Sequence, residues 1–389
     1  MTPAAQRAQL DFVRLSAEEP SSLYFERFLR EGFASLPSAY QRRFPGLDTW
    51  QGVTASKTSL RRLLQSPDGE VVFASRSVSL VQMAARSLFR TCRNLLTTDL
   101  SWPTYQRALS DRATRTGTRI TLTKLRRSIL RQAWTVDQVA DEMARVFVEQ
   151  RCDSLFLPAV DHLGIRVPVR EIVTRIEQVA ELKFCMIDAA QAFCQIPLSD
   201  AIACADFVIT GSHKWLGAYL PLGIGLFGHS RSRKLIQRQL VHDCEQTTQA
   251  DPLLRFTNNL TCGTLARYSE TVNIAPLFAT AGASTDQLAV SASEMAQPVA
   301  TNCNLSESLP LPCGYEQALS PCPEFNSRIV LFEPRMTLLR RLSSDATRRR
   351  WLDAGYVVSS YPSGLVRVSF PPEVAWGSIN VPPPQSIAS

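Results

Sequence analysis

The sequence has no run of roughly 18 or more apolar residues, the length a helix needs to cross a bilayer, so no transmembrane helix is expected. Its first residues, Met1 to Pro20, lack the apolar core of a secretion signal, which points to a cytoplasmic location. Histidine is scarce: four in 389 residues argues against a His-rich metal site. None of the ten cysteines sits in a CxxC pair. Scattered thiols of this kind read as buried side chains, not as a disulfide frame or zinc ligands. No internal repeat is visible.

What is present suits an ordinary folded chain, with 45% hydrophobic and 20% charged residues. The length exceeds one typical domain and suggests a large domain plus a smaller one. The net charge is +7. The excess gathers between Arg112 and Arg131 (Arg115, Arg119, Lys124, Arg126, Arg127) and again at Arg340, Arg341 and Arg348 to Arg350. Neither cluster is interleaved with aromatics as a nucleic-acid platform would be. Both are expected to be solvated helical faces, with neither nucleic acid nor membrane as partner.

Hydrophobic periodicity divides the chain. Residues 1–50 read as a polar helical segment broken at Pro37, Pro45 and Gly46. Short apolar runs at Val71–Ala74, Leu95–Leu96, Ser154–Leu157, Phe184–Ile187, Phe207–Ile209 and Ile224–Phe227 read as strands. Leu80–Leu88, Val136–Val148 and Val169–Leu182 between them have helical spacing. This alternation predicts an α/β fold with a mostly parallel sheet covered by helices on both faces. The large domain is expected over 51–278. From Ala279 to Pro323, Ser, Thr, Pro and Ala dominate without clear period, as expected of long connections. A smaller α+β domain is expected over 279–380, with strands at Arg328–Phe332, Tyr356–Val358 and Val366–Phe370 and a helix at Leu338–Ala354 stopped by Gly355. The tail, 381–389, reads as disordered.

Asp188 ends an apolar strand, and Lys214 follows the next strand by a few residues in Gly211-Ser212-His213-Lys214. In an open α/β sheet, ligands bind beyond the carboxyl ends of the strands. One acid and one amine are thus delivered to the same rim. Pyridoxal 5'-phosphate (PLP) needs that pairing: an amine for the Schiff base and a carboxylate to hold the pyridine nitrogen protonated. Ser212 and His213 could donate to a phosphate. Singly, such an Asp is usually a cap or ion-pair partner and such a Lys a surface charge; their order and setting favour the cofactor.

The segment DAAQAF…DFVITGSHKWLGAYLPLGIGLFG resembles the core of the class V aminotransferases of PLP fold type I, with weaker similarity from about residue 50 to 372. The group includes cysteine desulfurases, kynureninases and isopenicillin N epimerase-like enzymes. The resemblance implies Lys214 as the Schiff-base lysine, Asp188 as the pyridinium partner and Gln191 as the donor to the ring hydroxyl. Ser212 and His213 match phosphate contacts. VVFASRSVSLVQMAAR is similar to the family's phosphate cup, placing Arg76 and Ser77 in the turn before a helix N-terminus that suits an anion. Val78 stands where the family often has a second Thr. Trp102 in LLTTDLSWPTYQ occupies the ring-stacking position, where a flat aromatic face fits a pyridine. Asp161, next to His162, lies where the family places a residue near substrate and ring. Gly263 and Thr264 match the segment that reaches the neighbouring subunit's phosphate, which implies a homodimer with a shared active site. Arg367 in YPSGLVRVSF matches the grip on a substrate carboxylate, which guanidinium geometry favours.

The expected activity is that of an aminotransferase acting on a small amino-acid-like substrate, in specialised metabolite biosynthesis. The same machinery also supports a class V-fold lyase, epimerase or decarboxylating deaminase. A desulfurase is disfavoured because no cysteine lies between Cys322 and the chain end. A binding protein without cofactor is opposed by the retention of Asp188, Gln191, His213 and Lys214.

Overall fold

The computed structural model describes residues 1–19, 22–228, 230–246, 250–265, 268, 270–290, 312 and 314–370. The expected tail at 381–389 and most of the Ser/Pro-rich stretch, 291–311, lie outside the described residues.

The helices are α1 (Pro3–Glu18), α2 (Ser22–Glu31), α3 (Ser38–Arg43), α4 (Val53–Leu63), α5 (Ser77–Leu88), α6 (Pro103–Thr116), α7 (Arg126–Arg131), α8 (Val136–Glu149), α9 (Val169–Glu177), α10 (Ser199–Cys204), α11 (Ser230–Gln246), α12 (Pro252–Cys262), α13 (Ala275–Ala289), α14 (Thr337–Arg340) and α15 (Ser344–Asp353). A seven-stranded sheet holds β1 (Glu70–Ala74), β2 (Asn94–Thr98), β3 (Arg119–Thr123), β4 (Ser154–Pro158), β5 (Phe184–Asp188), β6 (Phe207–Gly211) and β7 (Gly223–Phe227). Its order is β1-β7-β6-β5-β4-β2-β3. Only β7 runs against its neighbours. A second, antiparallel sheet, order β10-β11-β9-β8, comprises β8 (Tyr315–Gln317), β9 (Ile329–Pro334), β10 (Ser359–Ser360) and β11 (Val366–Ser369).

The large sheet is mixed but mostly parallel, and its central strands are buried on both faces, as helical cover requires. The two-residue period of β5 sorts its side chains: Cys185 and Ile187 enter one core with α8, α9 and α13, while Phe184 and Met186 enter the other with α5 and α6. Helix α8 illustrates the local code. Thr135 and Gln138 form a capping box, and Val139, Ala140, Met143, Ala144 and Phe147 make its buried stripe.

Several expectations are corrected. Arg112–Arg131 is not one helical face. Gly117, at φ 70°, ends α6 in the left-handed region, and Arg119–Thr123 then pairs in parallel with β2 before α7 begins. The helix expected over Val169–Leu182 ends at Glu177. The helix expected over Leu338–Ala354 is two, because the Ser343 hydroxyl accepts the Ala346 N–H and starts α15 afresh. Pairing beside β11 falls at Ser359–Ser360, not Tyr356–Val358.

The stretch after Ala279 is not connection at its start: α13 continues to Ala289. Its Pro276–Ser284 run is wholly buried, so it carries no polar face to produce a period. Small residues let it lie against α1; a Cβ on Gly282 would meet the Ala4 carbonyl carbon at 2.6 Å. Among the described residues, no helix is long and apolar enough to cross a membrane.

Candidate active site

The parallel strands end on one rim, and the loops leaving them build a cavity of about 660 Å³, within the roughly 300–1,000 Å³ range of small-molecule sites. Arg76 follows β1, Trp102 follows β2, Asp161 follows β4, Asp188 closes β5 and Lys214 follows β6; all line this cavity. Ser77, Gln191, His213 and Arg367 line it as well. Residues 291 places apart in sequence, Arg76 and Arg367, thus meet one space.

Asp188 and Lys214 form its floor. Burial pushes the Asp188 carboxyl above its usual range, opposed by the Lys214 charge and the Ala190 N–H, which donates at 2.9 Å. Ala190 N–H is the only hydrogen-bond donor to this carboxylate among the described residues. Burial lowers the Lys214 ammonium; Asp188 opposes this and Arg367 adds to it. The Lys214 loop is held from behind. Ser212 is fully buried, its hydroxyl donating to the Leu220 carbonyl at 2.9 Å and its N–H to the Leu222 carbonyl at 3.0 Å. Ser212 therefore anchors the loop and does not line the cavity.

At one end stands the N-terminus of α5. Arg76 is its cap position, and the Ser77 hydroxyl shares a 2.6 Å hydrogen bond with the Tyr105 hydroxyl. Gly223 of β7 permits this approach: a Cβ there would lie 2.6 Å from the Arg76 carbonyl carbon. Trp102 is 39% exposed, its ring edge-on to His162 at 5.1 Å between centroids. The His162 ring also meets Tyr361 at 5.8 Å. Burial, with Arg126, Arg367 and Lys214 around it, pushes His162 down to about 4.

At the other end, Arg367 projects from β11. Its guanidinium donates to the His162 carbonyl (3.2 Å), Gln191 Oε1 (3.2 Å) and Ser369 Oγ (3.1 Å), all neutral acceptors. Gln191 Oε1 also accepts from Trp215 Nε1 at 3.0 Å, which fixes its carbonyl toward those donors and leaves the NH₂ group for another partner.

Asp161 lines the cavity, and both its oxygens are held by its neighbours. One oxygen accepts from Leu163 and Ile165 N–H, each at 2.8 Å, and the other pairs with Arg126 at 3.0 Å. Burial raises this carboxyl, and Arg126 with the two N–H groups opposes the shift. Arg126, read from sequence as part of a solvated face, thus reaches inward from the start of α7. Gly263 and Thr264 end α12 and do not line the cavity. Sequence reading missed Tyr105, Arg126 and Tyr361; isolated Tyr and Arg residues carry no motif.

The arrangement fits PLP. A buried carboxylate with one N–H donor can hold a protonated pyridine nitrogen, a buried amine stands nearby, and a helix N-terminus with Arg76 and Ser77 offers an anion site. Among the described residues, no group of three ligating side chains could hold a metal ion.

The family model described as aminotransferase class-V matches residues 38–239, more than half of the chain. The chain belongs to the class V aminotransferase family. It is therefore a PLP-dependent class V enzyme.

Solved structures agree on the fold. The cysteine desulfurase CsdA of Escherichia coli superposes with a TM-score of 0.64 at 15% identity, covering 95% of this chain and 86% of that one. A mutant of C-DES, with glycine covalently linked to its PLP cofactor, gives 0.63 at 14%, covering 95% and 89%. Alanine–glyoxylate aminotransferase of Nostoc sp. gives 0.59 at 15%, covering 82% and 80%. At such identities these likenesses carry the type I fold alone. No curated protein matches the chain by sequence.

Proposed function

We propose that this class V enzyme is an aminotransferase acting on an amino acid or related amine with a carboxylate. The observation that carries the reading is the convergence of Lys214, Asp188 and Arg367 on one cavity. Bound PLP supplies an electron sink for the pair left at the substrate Cα when its proton departs. Asp188 holds the pyridine nitrogen, its burial strengthening that interaction. Ser77, Arg76 and His213, which line the cavity, would hold the phosphate, Gln191 would donate to the ring oxygen, and Trp102 would lie against the ring.

Lys214 Nζ, its pKa lowered by burial, is the base that takes and returns the Cα proton. Arg367 holds the carboxylate; because its present partners are neutral, its charge is uncompensated until substrate arrives. A one-base site suits transamination, in which one amine moves one proton between two carbons. Gly263, exposed at the end of α12 with Thr264, is available to a second copy, and we infer a homodimer with a shared site.

The test has two steps. PLP added to purified protein gives a visible absorbance band, and borohydride fixation followed by peptide mass spectrometry places the cofactor on Lys214. Amino acids are then consumed only with a stoichiometric 2-oxo acid acceptor. Release of ammonia without an acceptor would replace transamination by elimination.

A further inference from the structure

We propose that the site selects an amino acid with a single carboxylate and a bulky uncharged apolar or aromatic side chain, received against His162 and Tyr361. The inference rests on Arg367 as the carboxylate grip and deepens that reading.

The charges facing the cavity limit what it can accept. Among the described residues, five acidic or strongly basic side chains line it: Arg76, Lys214 and Arg367 against Asp161 and Asp188. Asp161 has no exposed side-chain surface and already accepts from Arg126, Leu163 and Ile165. Asp188 is buried opposite Lys214 at the floor. Arg76 stands at the N-terminus of α5, where the phosphate is assigned. Among the described residues lining the cavity, one guanidinium, Arg367, then remains for substrate, and it serves the α-carboxylate. Among the described residues lining the cavity, a second carboxylate on the side chain would find no unmatched cation, and an ammonium no acid left open once Asp188 holds the cofactor. An uncompensated charge brought out of water is strongly disfavoured.

Next to Arg367 the surface is aromatic. Its Nη1 donates to the carbonyl of His162, whose ring lies between Trp102 and Tyr361 at 5.1 and 5.8 Å. His162 lines the cavity beside Tyr361, and burial keeps its ring in the neutral form, so it brings no charge to the substrate side chain. Tyr361 is only partly buried, with its backbone N–H tied to the Leu365 carbonyl at 2.8 Å. With Trp102 assigned to the cofactor, the cavity-lining His162 and Tyr361 are left for the substrate side chain.

The experiment uses the PLP-loaded enzyme without amino acceptor. Phenylalanine, leucine, alanine, aspartate, glutamate and lysine are titrated, and each dissociation constant is read from the change in cofactor absorbance. Phenylalanine and leucine are expected to bind at least ~10-fold tighter than the other four, the scale at which pocket contacts discriminate. Tyr361→Ala and His162→Ala should each weaken phenylalanine at least ~10-fold more than alanine. Tyr361→Leu, which keeps much of the volume, provides the same comparison with less risk to folding. Tighter binding of aspartate, glutamate or lysine, or an unaltered preference in the soluble variants, overturns the inference while the proposed function stands. Failure of the parent to take up PLP overturns both.

Discussion

Asp161 and Asp188 are both buried acids at the carboxyl ends of adjacent parallel strands, yet their surroundings make them different groups. Asp161 accepts two backbone N–H bonds and an Arg126 ion pair, so both oxygens are occupied. Asp188 accepts one backbone N–H and faces the Lys214 amine across open cavity. The first acid is a fastener, tying α7 to the turn that presents His162. The second is desolvated and under-supplied with donors, the condition in which a carboxylate binds an incoming cation most strongly. A buried acid marks a functional site only when the protein itself leaves its oxygens unclaimed.

The comparison can be broken or sharpened in order of effect. Lys214→Ala, which removes the cation facing Asp188, should lower turnover about 10³-fold or more while far-ultraviolet circular dichroism stays unchanged. Asp188→Asn should lower turnover about 100-fold and leave the urea midpoint of the apoprotein unchanged or higher, since a poorly compensated buried charge is removed. Asp161→Asn should do the reverse, costing about 3 kcal/mol of stability by leaving Arg126 without its charge partner. Adding Arg126→Met to Asp161→Leu should recover part of that loss in a double-mutant cycle. Equal destabilisation by both asparagine variants would remove the distinction between the two acids.

Arg367→Lys should weaken carboxylate substrates about 10-fold in dissociation constant with PLP uptake unaltered. The smallest effects are pH slopes. His162 is held near 4, below its ordinary value, so its contribution is present above about pH 6.5 and lost as pH falls through about 4. The melting temperature should drop across that window, and His162→Gln should flatten the drop. Asp188 is shifted the other way, so its contribution is present below the usual carboxylate range and lost as pH rises through its elevated value. Asp188→Asn should flatten that opposite slope in the apoprotein.

Much of the site was legible before the structure. Lys214 and Asp188 announce themselves because each ends or follows an apolar run, and the period of such runs is a local property. The rhythm of strands and helices likewise depends on near neighbours, and six strands of the large sheet follow it. The seventh, β3, was hidden because its alternating residues sit within a basic cluster that reads as a helical face. Helix α13 was hidden by the burial of its Pro276–Ser284 run, which erases the periodicity that would reveal it.

The sequence by itself determined the chemistry available: an amine and an acid on strand ends, a small-residue turn before a helix, and an arginine in a late strand. Only the tertiary structure decided which charges remain open. It drew Arg126 from an apparently solvated cluster onto Asp161, buried Ser212 behind the lysine loop, and set His162 between Trp102 and Tyr361. Local spacing specifies where a side chain leaves the backbone. Whether its charge is matched depends on partners from distant segments that only folding brings within hydrogen-bond reach.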